Sequence, residues 1–202
     1  MSKLSELLHA LDKRWRSLGM PVDELLAPGL AEDVVRSTLS NVTQHLSDEI
    51  VDWFAWHNGR FEPRNLVLAA PSGCALLSIT EALAERAQSR SVAVEAAATE
   101  PELGMAPEEY WPDSWLPIAE NGSGGLLVVD VVRDGSKAPA RFHDWEGDSV
   151  EGASSLVVAA QLWLAVLDTG LYTWAGGHPG WALSPGHPGN QQQRGHHRHN
   201  DL

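Results

Sequence analysis

WLPIAENGSGGLLVVDV, residues 115–131, is the stretch whose reading decides the fold of this chain. Pro117 fixes its own φ and pushes Leu116 towards extended geometry, so Trp115–Ile118 reads as a short strand. Asn121-Gly122 and Gly124-Gly125 belong to the residue types that tolerate positive φ, and they place a hairpin or bulged loop after that strand. Leu126 to Val132 then returns as an apolar, β-branched run interrupted by Asp130. A phosphate cradle would need a Lys-Ser or Lys-Thr pair opening a helix, or GxGxxG between strand and helix, and neither is present. The stretch is a hairpin with no catalytic chemistry of its own.

Working outward, Leu4, Leu7, Leu8, Leu11, Trp15 and Leu18 recur at helical spacing until Gly19 and Pro21 stop the pattern. A second helix is expected from Leu30 to about Val42, with Val34, Val35, Leu39 and Val42 as its apolar set. Ser47 can cap a third, Asp48–His57, which carries Ile50, Val51, Phe54 and Ala55 and ends at Asn58-Gly59 as left-handed C-caps do. Leu66–Ala70 reads as a strand, and Ser78-Ile79-Thr80-Glu81 as a capping box opening a helix to about Gln88. A loop with Pro101, Pro107 and Pro112 leads to the hairpin, and a further strand is expected from Ala138 to His143. Leu156–Leu171 reads as a last helix packed on the sheet. Helices at both ends with hairpin-linked strands between them describe an α+β fold, a largely antiparallel sheet flanked by helices.

The 202 residues are read as one domain, 1–174, followed by a disordered tail, 175–202, whose Gly, Pro, His and Gln offer too little apolar surface to offset ordering entropy. A formal charge of −13 argues against a nucleic-acid partner, whose affinity comes from basic patches. Between Arg90 and Arg133 stand Glu95, Glu100, Glu102, Glu108, Glu109, Asp113, Glu120 and Asp130 with no Lys or Arg. That stretch reads either as a solvated loop or as a docking face for a cationic partner. The lone Cys74, in PSGCALL, excludes an intrachain disulfide and reads as a small buried hydrophobe in a reducing compartment. No signal-peptide h-region opens the chain, and Leu156–Leu167 is too short to span a bilayer, so a soluble, cytoplasmic protein without a membrane partner is expected.

The order of these parts resembles the SUKH superfamily, in its Smi/Knr-like branch. Leu46-Ser47-Asp48-Glu49-Ile50 through Trp56-His57-Asn58-Gly59 is similar to the family's helix that begins near LPxxL and ends in Asn-Gly, with Ser47 where the family usually has proline. Leu77–Ala82 resembles the capped helix that follows, and Trp115–Ala119 with Asn121–Asp130 resembles the WxPxA signature, turn and Asp-bearing strand. Together these pieces cover roughly residues 4–172. The resemblance implies a non-enzymatic interaction domain without a cofactor. Bacterial members are immunity proteins that neutralise polymorphic or contact-dependent toxins, often nucleases or deaminases; eukaryotic members are regulatory scaffolds.

An immunity protein covers its toxin's active site, and nuclease sites are cationic, so acidic rims with aromatic anchors are the complement. Two clusters fit. The first holds Trp111, Asp113 and Trp115, although both tryptophans also read as core residues covering the sheet. The second holds Asp144, Trp145, Glu146, Asp148 and Glu151, of which Asp148 and Glu151 also read as caps for the last helix. An enzyme is the outlying reading: His57 or the His143-Asp144 pair lacks a nucleophile elbow or HExxH, and His196, His197 and His199 form only a weak chelating tract in the tail.

Overall fold

The computed structural model describes residues 1–43, 45–61, 69, 72–131, 137–144, 150–176 and 180–185. Helix α1 (Lys3–Ser17) starts at Ser2, whose hydroxyl accepts from Ser5 N, and buries Leu4, Leu8, Leu11 and Trp15. A short α2 (Val22–Leu25) leads into β1 (Leu26–Pro28), and α3 (Glu32–Leu39) buries Val35 and Leu39 while Val34 faces solvent. Helix α4 (Asp48–Trp56) is capped by Ser47, which accepts from Glu49 N at 3.2 Å. Serine therefore does at this position what the missing proline does by fixing φ: it starts the helix, here by satisfying an orphan donor.

The end of α4 differs from expectation. His57 is extended and opens β2 (His57–Arg60), so the chain passes from helix to strand without a left-handed cap. Gly59 does have φ +79, but inside that strand, where a Cβ would lie 2.4 Å from Ser78 N. Its glycine is required by the close approach of the next segment. Strand β3 (Ala75–Leu76) follows, then the capping box: Ser78 Oγ accepts from Glu81 N at 3.2 Å and Glu81 Oε2 accepts from Ser78 N at 2.7 Å. The helix it opens, α5 (Ile79–Thr99), runs 21 residues, absorbing the alanine-rich segment because alanine has the highest helix propensity. The expected strand at 66–70 falls outside the described residues apart from Ala69, which bridges Cys74.

After a 3₁₀ turn at Pro101–Leu103 and a short α6 (Pro107–Tyr110), the expected hairpin is present as β4 (Trp115–Glu120) and β5 (Leu126–Asp130). Asn121 Oδ1 accepts from the amides of Ser123 and Gly125, each at 2.9 Å, while Gly122 and Gly124 take φ of 76° and 96°. With β6 (Ala140–His143) and β7 (Val150–Ala153) the antiparallel sheet has the order β3-β4-β5-β6-β7. Both of its faces are covered, which is why β4 and β5 read as continuous apolar runs. Leu116, Ile118 and Val129 join the main core with α1 and α4, whereas Trp115, Leu126 and Val128 join Ala93 and Trp111 in a second, smaller core.

Helix α7 (Leu156–Asp168) is capped by Ser155, which accepts from Val158 N. Glu151 is not its cap; it lies in β7 opposite Arg141. Nor does α7 lie chiefly on the sheet: its main partner is α1, and Arg14 donates to the Leu167 carbonyl at 3.1 Å and pairs with Asp168 at 3.1 Å. An almost wholly apolar helix shows where it is buried only through its neighbours, because no polar stripe marks its outer side. Finally β8 (Tyr172–Gly176) pairs with β9 (Gly180–Leu183), with Trp174 and Trp181 edge to face at 5.4 Å. Residue 174, the expected end of the domain, lies in β8, and residues 177–179 and 186–202 of the expected tail lie outside the described residues.

Candidate partner-binding site

The first cluster singled out in the sequence packs against His143, the residue before Asp144 of the second. The rings of Trp111 and Trp115 pack edge to face at 5.4 Å, and both contact the His143 ring, at 5.2 and 5.4 Å. Trp111 is 1% exposed and Trp115 7%, so the two expected anchors are core residues that build the face rather than contacts on it. The cause is local: the sheet's second side needs a cover, and α5 offers only small residues such as Ala93 there. Arg141 caps the arrangement, its guanidinium 4.9 Å from the Trp115 ring centre. Burial pushes the His143 imidazole below its usual value, against the opposing influence of Asp144. Asp144 itself is half-buried, and Trp145 and Glu146 lie outside the described residues.

The acidic stretch sorts into carboxylates that the fold has claimed and carboxylates that it has not. Glu120 accepts from Arg60 Nη2 at 2.5 Å, and Arg60 also faces Glu81 at 3.9 Å. Asp113 is exposed yet paired with Arg90, while Arg86 donates to its main-chain carbonyl at 2.6 Å. Glu109 Oε2 accepts from Ala106 N at 2.6 Å and so starts α6. Asp130 is half-buried in β5. Glu95, Glu100, Glu102 and Glu108 remain, all exposed and without an ion pair among the described residues. Glu95, Glu100 and Glu102 surround the C-terminal end of α5, already the negative end of its dipole, and no basic residue occupies that last turn, while Glu108 stands in the first turn of α6. Tyr110 sits among them: burial and the charges of Glu100, Glu102 and Glu109 raise its phenol above the usual range. The arginine that neutralises Asp113 was not apparent in sequence, because Arg90 lies 23 positions away on another element.

A small pocket of about 60 Å³ opens between α5 and α6, lined by Ala93, Val94, Pro107, Trp111, Arg90, Glu108 and Asp113. It is far below the several hundred Å³ that a cofactor-sized ligand needs. The second depression, about 230 Å³ at the starts of α1 and α4, holds Asp48, Glu49 and Asp52. There the carboxylates are occupied: Asp48 pairs with Arg36 at 2.7 Å, Asp52 accepts from Ser2, and the 7%-exposed Glu49 accepts from Ala138 N at 2.8 Å and Leu156 N at 2.9 Å. This buried role of Glu49 had no signal in the sequence beyond its place in a first helical turn.

His57 and Cys74 have structural occupations. His57 places Nδ1 3.0 Å from the Ala27 carbonyl and Nε2 3.1 Å from Asp12, whose same oxygen accepts from Trp56 Nε1 at 3.0 Å. Cys74 is buried and its thiol is pushed up to about 11, opposite to the depression that makes a nucleophile. Among the described residues no three His, Cys, Asp or Glu side chains gather as metal ligands, and no helix is long and apolar enough to cross a membrane. The His196, His197 and His199 tract lies outside the described residues.

No curated protein matches the chain. The family model described as SMI1 / KNR4 family (SUKH-1) matches residues 38–161, from the end of α3 through the hairpin and into α7. With more than half of the 202 residues inside that match, and the α4, capping-box and hairpin segments in the expected order, this chain belongs to the SMI1/KNR4 (SUKH-1) family.

Proposed function

We propose that this protein is a non-enzymatic binding domain that acts as a cytoplasmic immunity protein, neutralising a toxin of the nuclease or deaminase class by occluding it. Its family includes toxin immunity proteins. The observation that carries the reading is the set of Glu95, Glu100 and Glu102, exposed around the negative end of α5, whose last turn carries no basic residue. Acids placed there oppose the helix dipole and lower stability by a few tenths of a kcal/mol each. Local choices that work against the fold concentrate at functional sites. A cationic toxin surface relieves the repulsion, and the same field accelerates its approach.

Co-expression tests the reading directly. A neighbouring gene is expected to encode a toxin domain that arrests growth when expressed alone, and the present chain at matched expression to restore growth. Lack of rescue, together with no complex by size-exclusion chromatography, would remove the toxin and leave a regulatory scaffold as the family's other role. Charge reversal at Glu102 and Glu108 slows association and flattens its salt dependence, whereas an unchanged on-rate returns the acidic face to the status of a solvated surface.

A further inference from the structure

We infer that Asn121, in the turn between β4 and β5, is a site of spontaneous covalent modification, where the side-chain amide is lost and aspartate or isoaspartate takes its place. No partner is needed for it. The chain holds two Asn-Gly pairs, Asn58-Gly59 and Asn121-Gly122, and the fold treats them in opposite ways.

The chemistry needs a backbone nitrogen free to attack, a carbonyl oxygen whose developing charge is stabilised, and water. Base removes the Gly122 amide proton, and the nitrogen bonds to Asn121 Cγ. The Cγ–Nδ2 bond then breaks and ammonia leaves, closing a cyclic imide. Water opens the imide at either carbonyl: attack at Cγ gives aspartate, and attack at the main-chain carbonyl carbon gives isoaspartate.

At Asn121 each requirement is met. Gly122 is exposed, takes φ of 76° and donates its N–H to no group among the described residues. Without a side chain it leaves the approach to Cγ open. Negative charge gathers on Asn121 Oδ1 during the attack, and this atom already accepts from the amides of Ser123 and Gly125, each at 2.9 Å, and from the Ser123 hydroxyl at 3.1 Å. These donors form an oxyanion hole for the intermediate. Asn58 is held differently. Gly59 is buried in β2, where a Cβ would lie 2.4 Å from Ser78 N, so the main chain has no room to swing its nitrogen onto Cγ. Asn58 Oδ1 accepts from Ile79 N at 2.8 Å, which ties the side chain to the start of α5. The same dipeptide is thus reactive in a solvent-facing turn and inert between a strand and a helix. An isoaspartate adds one carbon to the main chain where Asn121 N donates to the Gly125 carbonyl at 2.9 Å, and so disturbs the register of the hairpin.

The test uses the full chain, incubated in mildly alkaline buffer at physiological temperature and mapped by peptide mass spectrometry, with isoaspartate identified by enzymatic methylation of its free carboxylate. In the folded protein the Asn121 peptide converts faster than the Asn58 peptide by about ten-fold or more, since Asn58 reacts only when β2 opens locally. In urea the two convert at similar rates. Asn121→Gln removes most of the ammonia that the folded protein releases. Ser123→Ala, lacking the hydroxyl donor, converts at roughly half the wild-type rate or less. Equal rates at Asn58 and Asn121 in the folded protein overturn the proposal, as does ammonia release that survives Asn121→Gln. A Ser123→Ala rate at or above the wild type overturns the role given to the groups around Oδ1.

Discussion

Two acidic regions of this molecule look alike in sequence and differ in what their carboxylates do. In the first turns of α4, Asp48, Glu49 and Asp52 each have a partner within the fold: an arginine, two backbone amides and a serine. Around the end of α5, Glu95, Glu100, Glu102 and Glu108 make no ion pair among the described residues. The first group sits at a helix N-terminus, where negative charge stabilises, and Glu95, Glu100 and Glu102 of the second at a C-terminus, where it does not. Composition alone weighs them equally. Position relative to the backbone separates acids that hold the fold from acids that are available to something else.

The sharpest way to break this comparison is Glu49→Ala. Two buried amides, those of Ala138 and Leu156, lose their acceptor, and the expected loss is about 3 kcal/mol by urea denaturation. Glu108→Ala should shift stability by less than about 0.5 kcal/mol. Equal midpoints for the two variants would erase the distinction.

Next in size is the kinetic contrast. Glu102→Lys with Glu108→Lys should slow association with a cationic partner by roughly ten-fold at low salt, while Asp48→Lys leaves the on-rate within about two-fold. Stopped-flow traces at two salt concentrations decide this.

A smaller effect concerns the aromatic core beneath the second region. The folded His143 imidazole takes up a proton less readily than the unfolded one, whose value lies near 6.5. Its contribution is therefore intact above pH 6.5 and is lost as pH falls from there through the lower folded value. Against the wild type, His143→Phe should flatten the stability profile between pH 7 and 5; parallel profiles would show that the ring does not report on this core. The smallest expected change is at the surface pair Asp48–Arg36, where Asp48→Asn costs about 0.5 kcal/mol or less.

Much of the scaffold was legible because it rests on short-range rules. Ser78 and Glu81 announce their helix within four residues, Asn121 and its glycines announce the hairpin, and the leucine spacing of residues 4–15 announces α1. What escaped depends on partners distant in the chain. Arg90 neutralises Asp113, Glu49 reaches Ala138 and Leu156, and α7 chooses α1 over the sheet. Trp111 and Trp115 left two readings open for a related reason: flanking acids suggested exposure and aromatic character suggested core, and whether an aromatic is covered depends on the helix that crosses it. The site was legible as a region, and its members had to be sorted by burial and pairing.

The pairing of α1 with α7 also sets an order of events during synthesis. The Arg14 contact with Leu167 closes a loop of 153 residues, among the longest separations in the fold. At roughly 5–20 residues per second, the stripe of Leu4, Leu8, Leu11 and Trp15 leaves the ribosome on the order of ten seconds before its last cover exists. Until then the nascent chain carries a greasy helix shielded chiefly by α4. The finished protein is thus most exposed to capture by chaperones, or by its own neighbours on a polysome, just before its final helix arrives.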